Sequence, residues 1–315
     1  MNILLDLFRV QEKYVSLNLS QMTASSIEKD FLMPQTPHFI VAGTAPKQTQ
    51  TVSVFDEYGE PLSKDIACEC PLTVLLNWRE IVTLMTLGSH PGALVLGYLK
   101  NQSFLSDPTQ LESVLIDWET NSVAVVTKEN TDFLEKALQK KTVTSGCGQG
   151  TMYGNVMKSL ENYKVPQTNI KQSALYSTLM ALTHYNDTYK KAGAVHGCAI
   201  CKPGEVVSFV EDVGRHNAVD TLAGEMWLKQ ESGADKIFYT TGRLTSEMVI
   251  KVAQMGIPTL LSRSGVTQMG LELAQRFGIT IIARAKGLRF QIYHGVEKIE
   301  FDGKNATDTN QDIIK

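Results

Sequence analysis

The sequence predicts an α/β protein in which a small α+β unit precedes a domain of short strands alternating with helices. Three runs, "KIFYTT", "IPTLLSR" and "ITIIARA", are short and rich in β-branched or aromatic residues, and helical segments at about 245–256 and 266–277 separate them. That alternation points to a parallel or mixed sheet with helices on its faces and right-handed crossovers. Upstream, "CPLTVLLNWREIVTLMTL" reads as a hairpin around "NWRE", and "VLIDWETNSVAVVT" as a second strand pair around "ETNS".

Taken in order, residues 1–48 read as an N-terminal extension with the Pro-rich "MPQTPHF" near its end. Residues 49–165 form the small α+β domain. It opens on the strand of "TVSVFDEYGEPL", includes a helical run in "HPGALVLGYLKNQSFL", and ends beyond the glycine-rich "TVTSGCGQG". Residues 166–295 form the α/β domain. Its first segment, "TNIKQSALYSTLMALTHYNDTYKKAG", reads as helical, and "AVHGCAICKPGEVVSFVED" as two strands around "KPGE". In "HNAVDTLAGEMWLKQ", Val219, Leu222, Ala223, Met226 and Trp227 repeat at the spacing of one buried helical stripe. "LRFQIYHG" adds a last strand, and 296–315 read as a polar tail.

Composition narrows the function. A charged fraction of 20% with a net charge of -3 does not suit a non-specific nucleic-acid binder. No run reaches the length of a membrane span, and the start lacks the pattern of a secretory leader. The five cysteines, an odd number in a long chain, fit a reducing compartment rather than a disulfide framework. Together these features predict a cytoplasmic protein.

The thiols divide into three groups. Cys68 and Cys70 sit in a strand-like run, and C-x-C is not usual zinc-finger spacing. Cys198 and Cys201 make a C-x-x-C directly after His196, but the H-x-E of a zinc deaminase is absent. No protein-ligated metal is predicted. Cys147 stands apart, among the glycines at 146, 148 and 150. A thiol that collects sulfur and hands it on must be reachable and free to move, and this setting supplies both. A glycine-rich surface loop without chemistry remains the alternative.

Three polar loops are expected at the carboxyl ends of strands, where α/β sheets bind ligands. They are "EDVGRHN", "TTGRLTSE" and "SRSGVTQ", and each sets an arginine beside glycine or serine before a helix. Helix-start N–H groups attract anions, and Arg215, Arg243 and Arg263 could add forked donors. Gly214, Gly242 and Ser264 would let a phosphate approach, with His216 and Asn217 completing the first loop. Ordinary helix caps with solvated arginines are the alternative. Neither G-x-G-x-x-G nor the Walker phosphate loop occurs. Asp212 and Asp220 flank His216 as supporting groups. With Glu205 and His196 they leave open acid–base or metal chemistry, a cap or a loop brace.

The chain also resembles a known family. The motifs "ECPLTVLLNWREIVTLMTLGSHPGALVLGYL", "SGCGQG", "GAVHGCAIC", "EDVGRHNAVDTLAG", "TTGRLTSEMVIKVAQMGIPTLLSRSG" and "LRFQIY" occur in the order found in the FdhD/NarQ family of formate dehydrogenase accessory proteins. The resemblance runs from about Cys70 to Gly295. It implies a cytidine-deaminase-like three-layer C-terminal domain, a smaller N-terminal domain and a homodimer. It implies a sulfurtransferase of molybdenum cofactor biosynthesis, a sulfur carrier that takes persulfide sulfur from a cysteine desulfurase. The acceptor would be the molybdenum or tungsten bis-guanine-dinucleotide cofactor, needed by the formate dehydrogenase catalytic subunit. Cys147 would carry the persulfide. Gly214, Arg215, His216, Asn217, Gly242, Arg243, Arg263 and Ser264 would hold the cofactor, supported by Asp212 and Asp220.

One departure stands out. The family's loop reads C-G-x-C-G, whereas Cys147 is followed by Gly148, Gln149 and Gly150, so its second cysteine is missing. Cys198 and Cys201 fall where the family has small apolar residues. The loss favours, as alternative, a non-catalytic chaperone that binds cofactor and dehydrogenase without carrying sulfur.

Overall fold

The computed structural model describes residues 37–128, 142–143, 150–151, 157 and 160–303. In chain order its first strands are β1 (His38–Ala42), β2 (Thr49–Phe55), β3 (Pro61–Ala67), β4 (Cys70–Leu76) and β5 (Arg79–Thr86). Helix α1 (Pro91–Asn101), β6 (Leu111–Asp117), β7 (Ser122–Thr127), β8 (Thr142–Val143) and β9 (Gly150–Thr151) follow. Next come β10 (Ile170–Lys171), α2 (Gln172–Ala181), α3 (Asp187–Ala192), β11 (His196–Lys202), β12 (Glu205–Asp212) and α4 (Arg215–Leu228). The chain continues with β13 (Ile237–Thr240), α5 (Ser246–Gln254), β14 (Thr259–Ser262) and α6 (Gln268–Phe277). It closes with β15 (Thr280–Lys286), β16 (Arg289–His294) and β17 (Ile299–Glu300). This is an α/β fold with two sheet-containing units. One comprises Met1–Glu161, Lys191–Val195 and Asp212–Gln230, and the other Asn162–Lys190, His196–Glu211 and Glu231–Lys315.

The first unit is built on a five-stranded sheet in the order β1-β6-β7-β4-β5. The "NWRE" hairpin joins β4 to β5 through Asn77 and Trp78, at φ 46° and 65°. Two positive φ values are what a two-residue hairpin matched to strand twist requires. Asn77 secures the turn with its side chain, donating to Thr127 Oγ1 and accepting from Thr127 N. Leu72, Val74, Val114, Ile116, Val123 and Val125 alternate onto one face, where Leu94, Val95 and Leu99 of α1 cover them. The pair β2/β3 forms a separate two-stranded sheet.

Helix α4 belongs to this unit, although the sequence placed it in the middle of the 166–295 domain. Its backbone lies directly on that of α1. A Cβ on Gly97 would fall 1.8 Å from the Asp220 carbonyl oxygen, and one on Gly224 would fall 2.0 Å from that of Ala93. Only hydrogen at both positions permits that approach. The expected single apolar stripe is therefore incomplete as a description: Arg215, His216, Asn217, Asp220 and Thr221 are buried along with Val219, Leu222, Ala223 and Met226.

The second unit carries a six-stranded mixed sheet, β12-β11-β13-β14-β15-β16. Strands β13, β14 and β15 run parallel, with β11 antiparallel to β13 and β16 antiparallel to β15. Ala199, Cys201, Ile237, Tyr239, Leu261 and Ile282 share a core with Leu175, Leu179 and Leu182. The helical run expected from about 168 is interrupted. Asn186 stands at φ 74°, and a new helix begins at Asp187. Glu211 caps that helix from β12, accepting from Thr188 N at 2.8 Å and Tyr189 N at 2.9 Å.

Both chain-end expectations need correction. β1 lies within the supposed 1–48 extension, yet it pairs parallel with β6 and buries Ile40. β17 lies within the supposed polar tail, yet it pairs with β10 and buries Ile299. A short strand at a sheet edge carries too few residues to show a period.

Replacing Gly97 or Gly224 by alanine should cost about 1–3 kcal/mol through overpacking. Urea denaturation checks this as a lower midpoint with an unchanged slope.

Candidate functional site

The loop that opens α4 is organised by a carboxylate. Asp212, 2% exposed, accepts from Thr86 Oγ1 at 2.5 Å and from Leu87 N at 3.2 Å through Oδ2. Its Oδ1 accepts from Gly214 N at 3.0 Å and from Asn217 Nδ2 at 2.8 Å. The same Asn217 amide also donates to Met85 O at 2.7 Å. The sequence suggested that this helix start would offer its donors to an outside anion. Here the anion they meet is the protein's own. Burial pushes the Asp212 carboxyl up, against the four donors that favour its charged form.

Other residues of this loop are enclosed as well. Arg215 and His216 are 8% and 3% exposed at the start of α4. Asp220, one turn further, is fully buried and accepts from Asn101 Nδ2 at 2.7 Å. Burial lowers Lys100 to about 8, opposed by the pull of Asp220. The Asn101–Asp220 bond ties α1 to α4.

In the second unit, the loops after β13 and β14 are stitched together along one edge. Ser262 Oγ donates to Gly242 O at 2.7 Å and accepts from Ser264 N at 2.9 Å. Gly242 N donates to Thr240 Oγ1, and Leu244 bridges to Val266 in parallel. On this frame Arg243 and Arg263 are exposed, Gly242 is buried and Ser264 is half-buried. The arginine, glycine and serine residues predicted for these two loops therefore do share an edge. The loop at 212–217 belongs to the first unit.

Two further residues sit at this edge that sequence reasoning missed. Tyr239, 2% exposed, lines the same cavity as Arg263, whose nearby positive charge favours the ionised phenol. Burial pushes its phenol up to about 12, although Arg263 pulls the other way. Arg284 adopts φ 55° where β15 bulges, and its N–H donates to Ser264 O at 2.9 Å. A bulge of this kind re-aims a side chain at a strand end. An arginine inside the otherwise apolar "ITIIARA" was the available signal. Beside Arg263 opens a cavity of about 580 Å³.

Cys147 lies outside the described residues; β8 and β9 pair on either side of it in the sequence. Cys68, Cys70, Cys198 and Cys201 are all free thiols. Cys198 and Cys201 have no exposed surface in β11, and burial pushes Cys201 up to about 12. Cys70 donates to Thr86 O at 3.3 Å and is also pushed up, first by burial, then by Asp212 and by Cys68. Among the described residues no group of three or more His, Cys, Asp or Glu could hold a metal ion. No described helix is long and apolar enough to cross a membrane.

Two predictions follow from these environments. The folded Asp212 carboxyl holds its proton to higher pH than the unfolded one, so its ionisation favours unfolding. The stability lead of the wild type over Asp212→Asn should therefore shrink as pH rises from about 4 through the raised value. Urea midpoints of both proteins across that range would show it, and a lead that grows would contradict it. Cys201 at about 12, against an ordinary 9.0, should alkylate about a thousandfold more slowly at pH 8 than an open thiol. Peptide mapping of iodoacetamide-treated native and unfolded protein reads that ratio.

Comparison with known proteins fits this geometry into a lineage. The model of the FdhD/NarQ family matches residues 67–300. A sulfur carrier protein FdhD from Listeria innocua is 30% identical over 244 residues, spanning 76% of this chain and 93% of its own. The protein of that name from Geobacillus kaustophilus is 30% identical over 231 residues, spanning 73% and 88%. A crystal structure from Desulfotalea psychrophila, of a candidate formate dehydrogenase accessory protein, superposes with a TM-score of 0.65. It has 26% identity and covers 80% of this chain and 98% of its own. The chain belongs to the FdhD/NarQ family.

Proposed function

We propose that this chain is a sulfur carrier of formate dehydrogenase maturation, a sulfurtransferase working with a cysteine desulfurase. The observation that carries the reading is family membership across 67–300, joined to a cysteine at 147 within the "SGCGQG" motif. The Cys147 thiolate attacks the outer sulfur of the desulfurase persulfide. The desulfurase cysteine leaves as a thiolate, and Cys147 becomes the persulfide. The acceptor is the molybdenum or tungsten bis-guanine-dinucleotide cofactor, bound as substrate and destined for the dehydrogenase catalytic subunit.

Arg243 and Arg263 take the anionic limb of that cofactor, while Gly242 and Ser264 keep the edge low enough for a phosphate to approach. Gly214, Arg215, His216 and Asn217 form, within the first unit, a separate enclosed loop braced by Asp212, with Asp220 supporting α4. Proximity and electrostatic holding are the terms this arrangement supplies. The mixed sheet of the second unit supports a cytidine-deaminase-like, three-layer classification, and the family resemblance supports a cytoplasmic homodimer.

A second reading is the cofactor-binding chaperone that carries no sulfur. It is favoured by the glycine at 150, where the family's second loop cysteine would stand. Incubation with an active desulfurase and cysteine, followed by non-reducing peptide mass spectrometry, separates the two. The carrier gains one sulfur atom on the Cys147 peptide and loses that gain in Cys147→Ala. The chaperone gains none. In calorimetry, Arg243→Ala should weaken guanosine diphosphate binding about tenfold. Unchanged affinity would remove Arg243 from the site.

A further inference from the structure

Cys68 and Cys70, free thiols of the first unit, are half-buried and take no part in the proposed function. Each is anchored to a different sheet. Cys68 N donates to Gln48 O at 2.8 Å, which carries the β2/β3 ladder one residue beyond Ala67. Cys70 opens β4 and sits opposite Thr86 of β5. Glu69 alone separates the two anchors.

The backbone between them is extended. Cys68 and Cys70 are half-buried while Glu69 is exposed, the alternation in which residues two apart point to one side. Two strand steps put the two Cα atoms about 6.6 Å apart, inside the span of about 4.4–6.8 Å that a disulfide bridges. Cys68 is also among the groups that push the Cys70 thiol up, as a near neighbour would.

The two thiols are not equivalent. Cys70 S–H donates to Thr86 O at 3.3 Å. A Cβ on Gly88 would fall 3.3 Å from the Cys70 sulfur and 2.9 Å from both Pro46 and Trp118, so that side of the sulfur is walled. The Cys68 thiol makes no side-chain hydrogen bond to a described residue. A small disulfide must approach along the axis of its own S–S bond, and Cys68 offers that path where Cys70 does not.

We infer that Cys68 and Cys70 form a thiol–disulfide exchange site for low-molecular-weight disulfides, with Cys68 attacking first and Cys70 resolving. The Cys68 thiolate attacks one sulfur of the small disulfide, and the other half leaves as a thiolate. Cys70 then attacks the Cys68 sulfur of that mixed disulfide, and the second half leaves. Each departing thiolate takes up one of the two protein protons. Two protein thiols are oxidised to the Cys68–Cys70 disulfide, and one small disulfide is reduced to two thiols. The second attack is intramolecular, which offsets the hold that Thr86 and burial keep on the Cys70 proton. Nothing in this chemistry draws on sulfur carried at Cys147.

The full chain carrying Cys147→Ala tests it with glutathione disulfide as the probe, followed by acid quench, alkylation of the unfolded protein and cleavage after lysine and arginine. Residues 65–79 then form one peptide that holds both cysteines and no other. That peptide should have lost two hydrogens and taken up no alkyl group, and dithiothreitol should restore both thiols. Cys70→Ser should keep glutathione on Cys68, trapped for want of a resolving thiol. Cys68→Ser should take glutathione onto Cys70 at least about tenfold more slowly. A doubly alkylated peptide, with a reference dithiol oxidised in the same tube, would overturn the site. A glutathione adduct that persists while both cysteines are present would overturn it as well, because the second thiol would be out of reach. Equal uptake by the two serine variants would overturn the assigned order. The first arm substitutes neither thiol, so it decides the site even if a serine variant fails to fold.

Discussion

The buried carboxylate of Asp212 is the constraint on which the first unit's loop depends. It accepts donors from the end of β5 and just beyond it, through Thr86 and Leu87, and from the start of α4, through Gly214 and Asn217. A carboxylate out of water is costly unless hydrogen bonds replace its hydration. Here four donors from two chain segments offset part of that cost, and burial still holds the carboxyl above its ordinary value. Removing one donor would leave a charge underpaired, a larger cost than the loss of an ordinary surface bond. The close approach of α1 to α4 at Gly97 and Gly224 is the steric counterpart, because no side chain there could be accommodated.

The second unit solves a different problem. Its edge must keep cations exposed and yet ordered. The loops after β13 and β14 are tied by Ser262, Gly242, Leu244 and Gly265, so hydrogen bonds fix the backbone beneath Arg243 and Arg263. The arginines can then face water at little entropic cost to the chain. The positive φ of Arg284 brings a further cationic residue to the same strand ends. Strain at a bulge is retained where the surrounding pairing over-determines it.

Much of this was legible in the sequence, for identifiable reasons. "KIFYTT", "IPTLLSR" and "ITIIARA" declared the parallel strands because buried strands need continuous apolar runs. "NWRE" declared its hairpin, since Asn tolerates the left-handed region. The arginine, glycine and serine pattern found the edge that carries Arg243 and Arg263. What remained hidden was non-local. β1 and β17 are too short to show a period, and Tyr239 looks like any strand aromatic until the fold sets it beside Arg263 in one cavity. Asp212 was recognised as a possible brace, but its partner Thr86 at the end of β5 lies 126 residues away in the chain, a pairing that only the fold supplies.

The cysteines bring the chemistry back to one place. A thiol that accepts and passes on sulfur needs a thiolate, an approach path and room for a second sulfur atom. Cys198 and Cys201 have no exposed surface, and Cys201 ionises only near pH 12. Cys70 is partly exposed, but burial, Asp212 and Cys68 all oppose its ionisation, and its S–H is already donated to Thr86 O. The carboxylate that braces the α4 loop therefore also suppresses the thiol next to it. Neither thiol of the C-x-x-C pair meets those requirements, so a second loop cysteine is not replaced by a spatial substitute in β11. If sulfur is carried, the burden falls on Cys147, which lies outside the described residues.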